Sequence, residues 1–178
     1  MTERGKIMPN KSNQTAKSNN DLLIERSFNA PRKLVWKAWT DPETLRGWWG
    51  PKGVTNPVCE IDVRPQGVIH IIMLAGKELG ELEGNEWPMK GVVQEVIEPE
   101  KLVFTSAAIV NNKPILENLV TLTLKEDGNP STSPRTGKTK MTLHVMVTKT
   151  TPEAAGPLAG MKQGWSQSID KLANLLNG

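Results

Sequence analysis

The 178-residue sequence contains one cysteine, two histidines and no tyrosine. A lone Cys59 excludes an internal disulfide and any multi-cysteine metal site. His70 and His144 fall on separate strand-like segments, so a histidine-based metal site is not expected. For each, a solvated strand residue is the simpler reading and a proton shuttle the sharper one. H-E-x-x-H, G-x-S-x-G, P-loop and G-x-G-x-x-G patterns are all missing, so neither a metal nor a nucleotide cofactor is expected. No apolar run approaches the roughly 18 residues of a bilayer crossing, and residues 1–20 lack the apolar core of a signal peptide. A cytoplasmic protein without a membrane span is the expectation. The Asn10-Lys11-Ser12 and Asn13-Gln14-Thr15 triplets are then chance matches to glycosylation acceptors.

An excess of charge is also missing. Lys and Arg number 22 against 19 Asp and Glu, a net of +3. Residues 1–20 carry Arg4, Lys6, Lys11 and Lys17 against Glu3 alone, and so account for that whole net charge. The neutral remainder offers no basic surface for phosphate backbones, and nucleic acid is not an expected partner. Polar and poor in apolar residues, the first 20 residues read as a disordered tail, leaving 21–178 as one domain.

What is present is the patterning of an α+β domain. The run 22–30 reads as a strand, and Pro31 opens a helix with Leu34, Val35, Ala38 and Trp39 on one face. Asp41-Pro42-Glu43 supplies a cap, a proline at the first position and an acidic first turn for a second short helix ending at Gly50-Pro51. Six strand-like segments follow, at about 54–64, 66–75, 86–98, 101–110, 116–126 and 138–150, separated by short turns. Seven sequential strands of this kind predict an antiparallel meander. The segment 128–137 is expected to be a long mobile hairpin loop. Leu158, Met161, Trp165, Ile169, Leu172 and Leu176 recur every three or four residues on a helix beginning near Pro157, whose apolar stripe needs a sheet face to cover it.

Alternation assigns faces within the strands. Met141, Leu143, Val145 and Val147 form one inward row, Val120, Leu122 and Leu124 another, and Ile69, Ile71 and Met73 a third. In 92–97 the pattern leaves two choices, Val93-Glu95-Ile97 or Val92-Gln94-Val96. If the first set is inward, Glu95 is a buried carboxylate that needs a partner or a role. Cys59 alternates with Ile61 and Val63 and reads as packing. Six tryptophans are the oddest feature of the composition. Trp48-Trp49 beside Gly50-Pro51 could plug the open end of the sheet or line a pocket mouth, and Trp165 could be core or the floor of a cavity.

The ordered elements Ala30-Pro31, Val35-Trp36-Lys37-Ala38-Trp39-Thr40-Asp41-Pro42, Trp48-Trp49-Gly50-Pro51, Asp62-Val63-Arg64-Pro65-Gln66-Gly67, Gly91-Val92-Val93-Gln94-Glu95-Val96, Pro99-Glu100-Lys101-Leu102-Val103-Phe104-Thr105 and Gly164-Trp165 resemble the activator of heat shock protein 90 ATPase homologue family. That family belongs to the START-like superfamily with the polyketide cyclases. The chain departs from its pattern at Gln66, where relatives commonly carry glycine, and in an enlarged 128–137 loop. The resemblance implies a helix-grip fold of the START-like and Bet v 1-like kind, with a curved seven-stranded sheet around the C-terminal helix and two small helices after the first strand. It also implies an apolar cavity between sheet and helix. The lining expected from it comprises Trp48 and Trp49, then Ile69, Ile71 and Met73. Val93, Glu95 and Phe104 follow on the next strands, and Met161, Trp165 and Ile169 on the helix.

Three functions compete on this reading. The first is binding of a small hydrophobic molecule, a lipid, polyketide or aromatic. The second is a cyclase or dehydratase using the same cavity, with Glu95, or less well His70, moving a proton. The third, suggested by the family name alone, is an interaction module acting on a chaperone ATPase. The open sheet edges allow a monomer or a homodimer.

Overall fold

The structure is a computed structural model and describes residues 20–128 and 137–177. The expected tail and most of the expected hairpin loop lie outside the described residues. Strand β1 (Leu22–Phe28) leads into helices α1 (Arg32–Thr40) and α2 (Pro42–Arg46). Strands β2 (Val54–Ile61), β3 (Val68–Ala75), β4 (Glu86–Ile97), β5 (Lys101–Val110), β6 (Lys113–Glu126) and β7 (Thr139–Thr150) follow, and helix α3 (Ala155–Asn177) closes the domain. All neighbours pair antiparallel, in the order β1-β7-β6-β5-β4-β3-β2. This is the helix-grip fold: a meander from β2 to β7, completed by β1 on the outer side of β7, curling around α3.

Local chemistry sets the element ends. Asp41 caps α2, accepting from the Thr44 N–H at 3.0 Å and from its hydroxyl, with Pro42 at the first helical position. These two bonds, the hydroxyl's first, hold the Asp41 carboxyl below its ordinary range. Pro57 sits in β2, an edge strand, where a missing N–H leaves no ladder bond unmade. A backbone shift in register between Thr55 and Val58 surrounds it.

The inward rows follow the alternation read from the sequence over most of the sheet. Ile69 and Ile71 of β3, Val120, Leu122 and Leu124 of β6, and Met141, Leu143 and Val145 of β7 are all buried. Strand β4 breaks the pattern. A bulge between Val93 and Glu95 inserts one extra residue, so Val93 and Val96 point inward while Glu95 and Ile97 do not. Val93 is fully buried, Ile97 is 46% exposed, and the Glu95 side chain, 44% exposed, pairs with Lys101 Nζ at 2.9 Å. Neither row left open by alternation holds, and the inward Glu95 implied by the family resemblance is corrected: strict period-two counting fails at the bulge.

The core is unusually rich in indole. Trp39 packs edge-on against Trp48 with centroids 4.7 Å apart, and Trp165 of α3 stacks on Trp39 at 6.3 Å and meets Trp49 edge-on at 5.2 Å. Trp48 is fully buried and donates its indole N–H to the Ala38 carbonyl at 2.8 Å. The predicted α3 stripe packs as expected, Leu158 against a small cluster of Ile115, Leu116 and Ala154, and the others against the main core.

Candidate functional site

Helix α3 packs closely at Ile169 and Leu172, both fully buried, and again near its start, where Leu158 meets Ile115 and Leu116; between these points a gap opens beside Met161, Gly164 and Trp165. The gap is a cavity of about 190 Å³, open to solvent on one side. Its walls come from three directions. Trp49, Gly50 and Pro51 follow α2; Met73, Trp87 and Met89 belong to β3 and β4; Met161, Gly164 and Trp165 face them from α3. Aromatic rings and thioethers dominate, a surface that adapts to flat apolar molecules. Gly164 keeps the helix side open, since a Cβ there would have nothing within 4 Å.

Three polar side chains reach this lining: Ser106 of β5, Asn118 of β6 and Ser168 of α3. The Ser168 hydroxyl is used by the helix, donating to the Gly164 carbonyl at 2.8 Å. Ser106 and Asn118 face each other across the β5–β6 pairing, and Asn118 Nδ2 donates to Ser106 Oγ at 3.4 Å. Asn118 Oδ1 is buried without a hydrogen-bond partner. No Asp, Glu, His, Lys, Arg or Cys is among the lining residues.

The loop that carries Trp49 is held from two sides. Asn56 of β2, 2% exposed, donates to the carbonyls of Arg46 and Trp49 at 3.0 and 2.8 Å. From α3, Lys171 Nζ approaches the carbonyls of Trp49 and Pro51 at 3.4 and 3.3 Å, while Gln167 Oε1 accepts from the Lys52 N–H at 3.0 Å. Desolvation at this half-buried position lowers the Lys171 pKa. Asn56, Lys171 and Gln167 therefore position one wall of the cavity without lining it.

The chain matches the family model described as Activator of Hsp90 ATPase homolog 1-like protein over residues 29–177. It belongs to that family. Among solved structures, a protein from Nitrosomonas europaea is 28% identical, with 90% of this chain and 96% of that one covered and a TM-score of 0.67. A protein from Chromobacterium violaceum, 24% identical, covers 89% and 99% at a TM-score of 0.70. A protein from Silicibacter pomeroyi, 22% identical, covers 88% and 97% at 0.68. No curated protein matches the chain. The Activator of Hsp90 ATPase homolog 1-like fold is in general a ligand-binding scaffold. Among the described residues no helix is long and apolar enough to cross a membrane, and no cluster of three His, Cys, Asp or Glu is placed to hold a metal ion.

Of the lining expected from the sequence of this family member, Trp49, Met73, Met161 and Trp165 meet at the cavity. Ile69, Ile71 and Phe104 instead surround a void of about 10 Å³ beneath Trp49, too small for anything beyond a water molecule. Trp48, Val93 and Ile169 are packed core. Glu95 lies at neither place. His70 and His144 approach Glu60 and Asp21 at 3.7 and 3.8 Å from partly exposed positions, away from the cavity lining. Cys59 is buried, and desolvation pushes its thiol up to about 11, as suits a packing residue. The sequence reading missed Ser106 and Asn118. Extending the inward rows by one period, from Phe104 to Ser106 and from Val120 to Asn118, was the signal that could have found them.

Proposed function

We propose that this protein binds a small hydrophobic molecule in the cavity between α3 and the sheet. The supporting observation is the make-up of that cavity: tryptophan and methionine walls with no ionisable side chain among them. Acid–base chemistry of the cyclase or dehydratase kind needs a titratable group within hydrogen-bond reach of the substrate. Glu95, the carboxylate best suited by sequence, points away and is paired with Lys101. Size narrows the ligand. A dry cavity of about 150 Å³ holds benzene, whereas drug-sized ligands fill about 300–1,000 Å³. At about 190 Å³ the space suits one ring or two fused rings, and a sterol or long acyl chain would extend beyond it into solvent.

The test is thermal unfolding with naphthalene and 2-naphthol. Ligand at free concentration L that binds only the folded state stabilises it by RT ln(1 + L/Kd), about 2.7 kcal/mol at 100 times the dissociation constant, and so raises the melting temperature. The expected result is a rise of several degrees for the wild type and none for Gly164→Leu, whose side chain would project into the open space. No shift with either probe would overturn the binding reading.

A further inference from the structure

Asn118 interrupts a row of otherwise apolar inward side chains, with Leu116 on one side and Val120 and Leu122 on the other. Both it and its partner Ser106 are only 8% exposed, and both face the cavity. An unpaired buried amide oxygen costs free energy that a leucine at the same position would not incur. A group that satisfies it on binding regains that cost, and a ligand lacking one leaves it unpaid.

We propose that the Asn118–Ser106 pair is the polar end of the binding site and selects a neutral hydroxyaromatic ligand. The proposal rests on the binding reading above and adds to it the class of molecule. Three observations carry it. The volume and the Trp49, Trp87 and Trp165 walls fit a flat one- or two-ring body. Asn118 Oδ1 has no partner within the protein, and a ligand hydroxyl at this end of the cavity would supply one. With the amide turned over, Ser106 would donate to Oδ1 and the NH₂ would stand unpaired; a hydroxyl both donates and accepts, and so answers either arrangement. No charged side chain lines the cavity, so a carboxylate or ammonium group entering it would be desolvated without a counter-ion.

Calorimetric titration with three probes of one ring system separates the terms: naphthalene, 2-naphthol and 2-naphthoate. In the wild type 2-naphthol is expected to bind at least about 10-fold more tightly than naphthalene, with 2-naphthoate weakest. In Asn118→Leu the order of the two neutral probes should reverse, because 2-naphthol then buries its hydroxyl unpaired. Ser106→Ala, a smaller change, should reduce the preference without abolishing binding, and near-ultraviolet circular dichroism verifies that each variant is folded. Equal affinity for 2-naphthol and naphthalene in the wild type, or an unchanged preference in a folded Asn118→Leu, overturns the assignment of the polar end and leaves the cavity reading standing. Tighter binding of 2-naphthoate also overturns it. Failure of both neutral probes to bind the wild type overturns the binding reading and, with it, this one.

Discussion

At the turn between β2 and β3, Gln66 adopts φ 68° and Gly67 follows it. The left-handed region costs a side-chain-bearing residue roughly 1–2 kcal/mol, against about 0.5–1 kcal/mol of extra chain entropy lost by glycine. Gln66 is exposed, so Gln66→Gly is expected to be neutral to stabilising, by up to about 1 kcal/mol, read as a rise of about 2–4 °C in melting temperature. Gly67→Ala should do the opposite and strongly, because its Cβ would overlap the carbonyl oxygen of Asp62. Cys59 gives a pH signature. Its thiol pKa is raised by burial from 9.0 to about 11, so the unfolded chain loses the proton first. The stability that the protonated thiol contributes is therefore complete below about pH 9 and falls as pH rises towards 11. Denaturant midpoints across that window should drop more steeply for the wild type than for Cys59→Ala. Alternation alone identified Cys59 as core. It left Glu95 open, and the family resemblance then misplaced it inward, because a bulge is a choice of backbone hydrogen bonding that no pattern of side chains in β4 announces.

At the scale of elements, α3 is two halves of different strength. Gly156, Gly160 and Gly164 lie in its first part, each with open space where a Cβ would be, and each costs a helix interior about 0.8–1 kcal/mol relative to alanine. Its second part is anchored by Ser168, Ile169 and Leu172. Amide hydrogen exchange is expected to be distinctly faster over residues 158–164 than over 168–175, and a bound neutral aromatic should slow the first stretch selectively. Gly160→Ala, which does not line the cavity, is expected to stabilise the protein by about 1 kcal/mol and to lessen that contrast. The stripe from Leu158 to Leu176 was fully legible as a helix face. That a gap opens between this face and the sheet was not, since the gap is walled by Trp49, from the loop after α2, where it meets Trp165 of α3.

For the whole molecule, the cavity carries no titratable group, and no Asp, Glu, Lys or Arg among the described residues is buried. Affinity for a neutral probe such as 2-naphthol is therefore expected to be flat from about pH 5 to about pH 8 and between about 0.05 and 0.5 M salt. Glu95→Gln should leave that affinity unchanged; a loss of more than a few-fold would return the carboxylate to the site. The sequence by itself determined the order of the elements, the α+β class, the inward rows of β3, β6 and β7, and the apolar stripe of α3, all of which follow from hydrophobic periodicity and local turn chemistry. Only the tertiary structure decided which tryptophans fill space and which enclose it. Trp48 and Trp49 are adjacent in the chain, yet one is buried against Ala38 and the other walls the cavity. The pairing of Asn118 with Ser106 was likewise settled across two strands, because the register that brings them together arises from the contacts of the whole sheet and not from either segment.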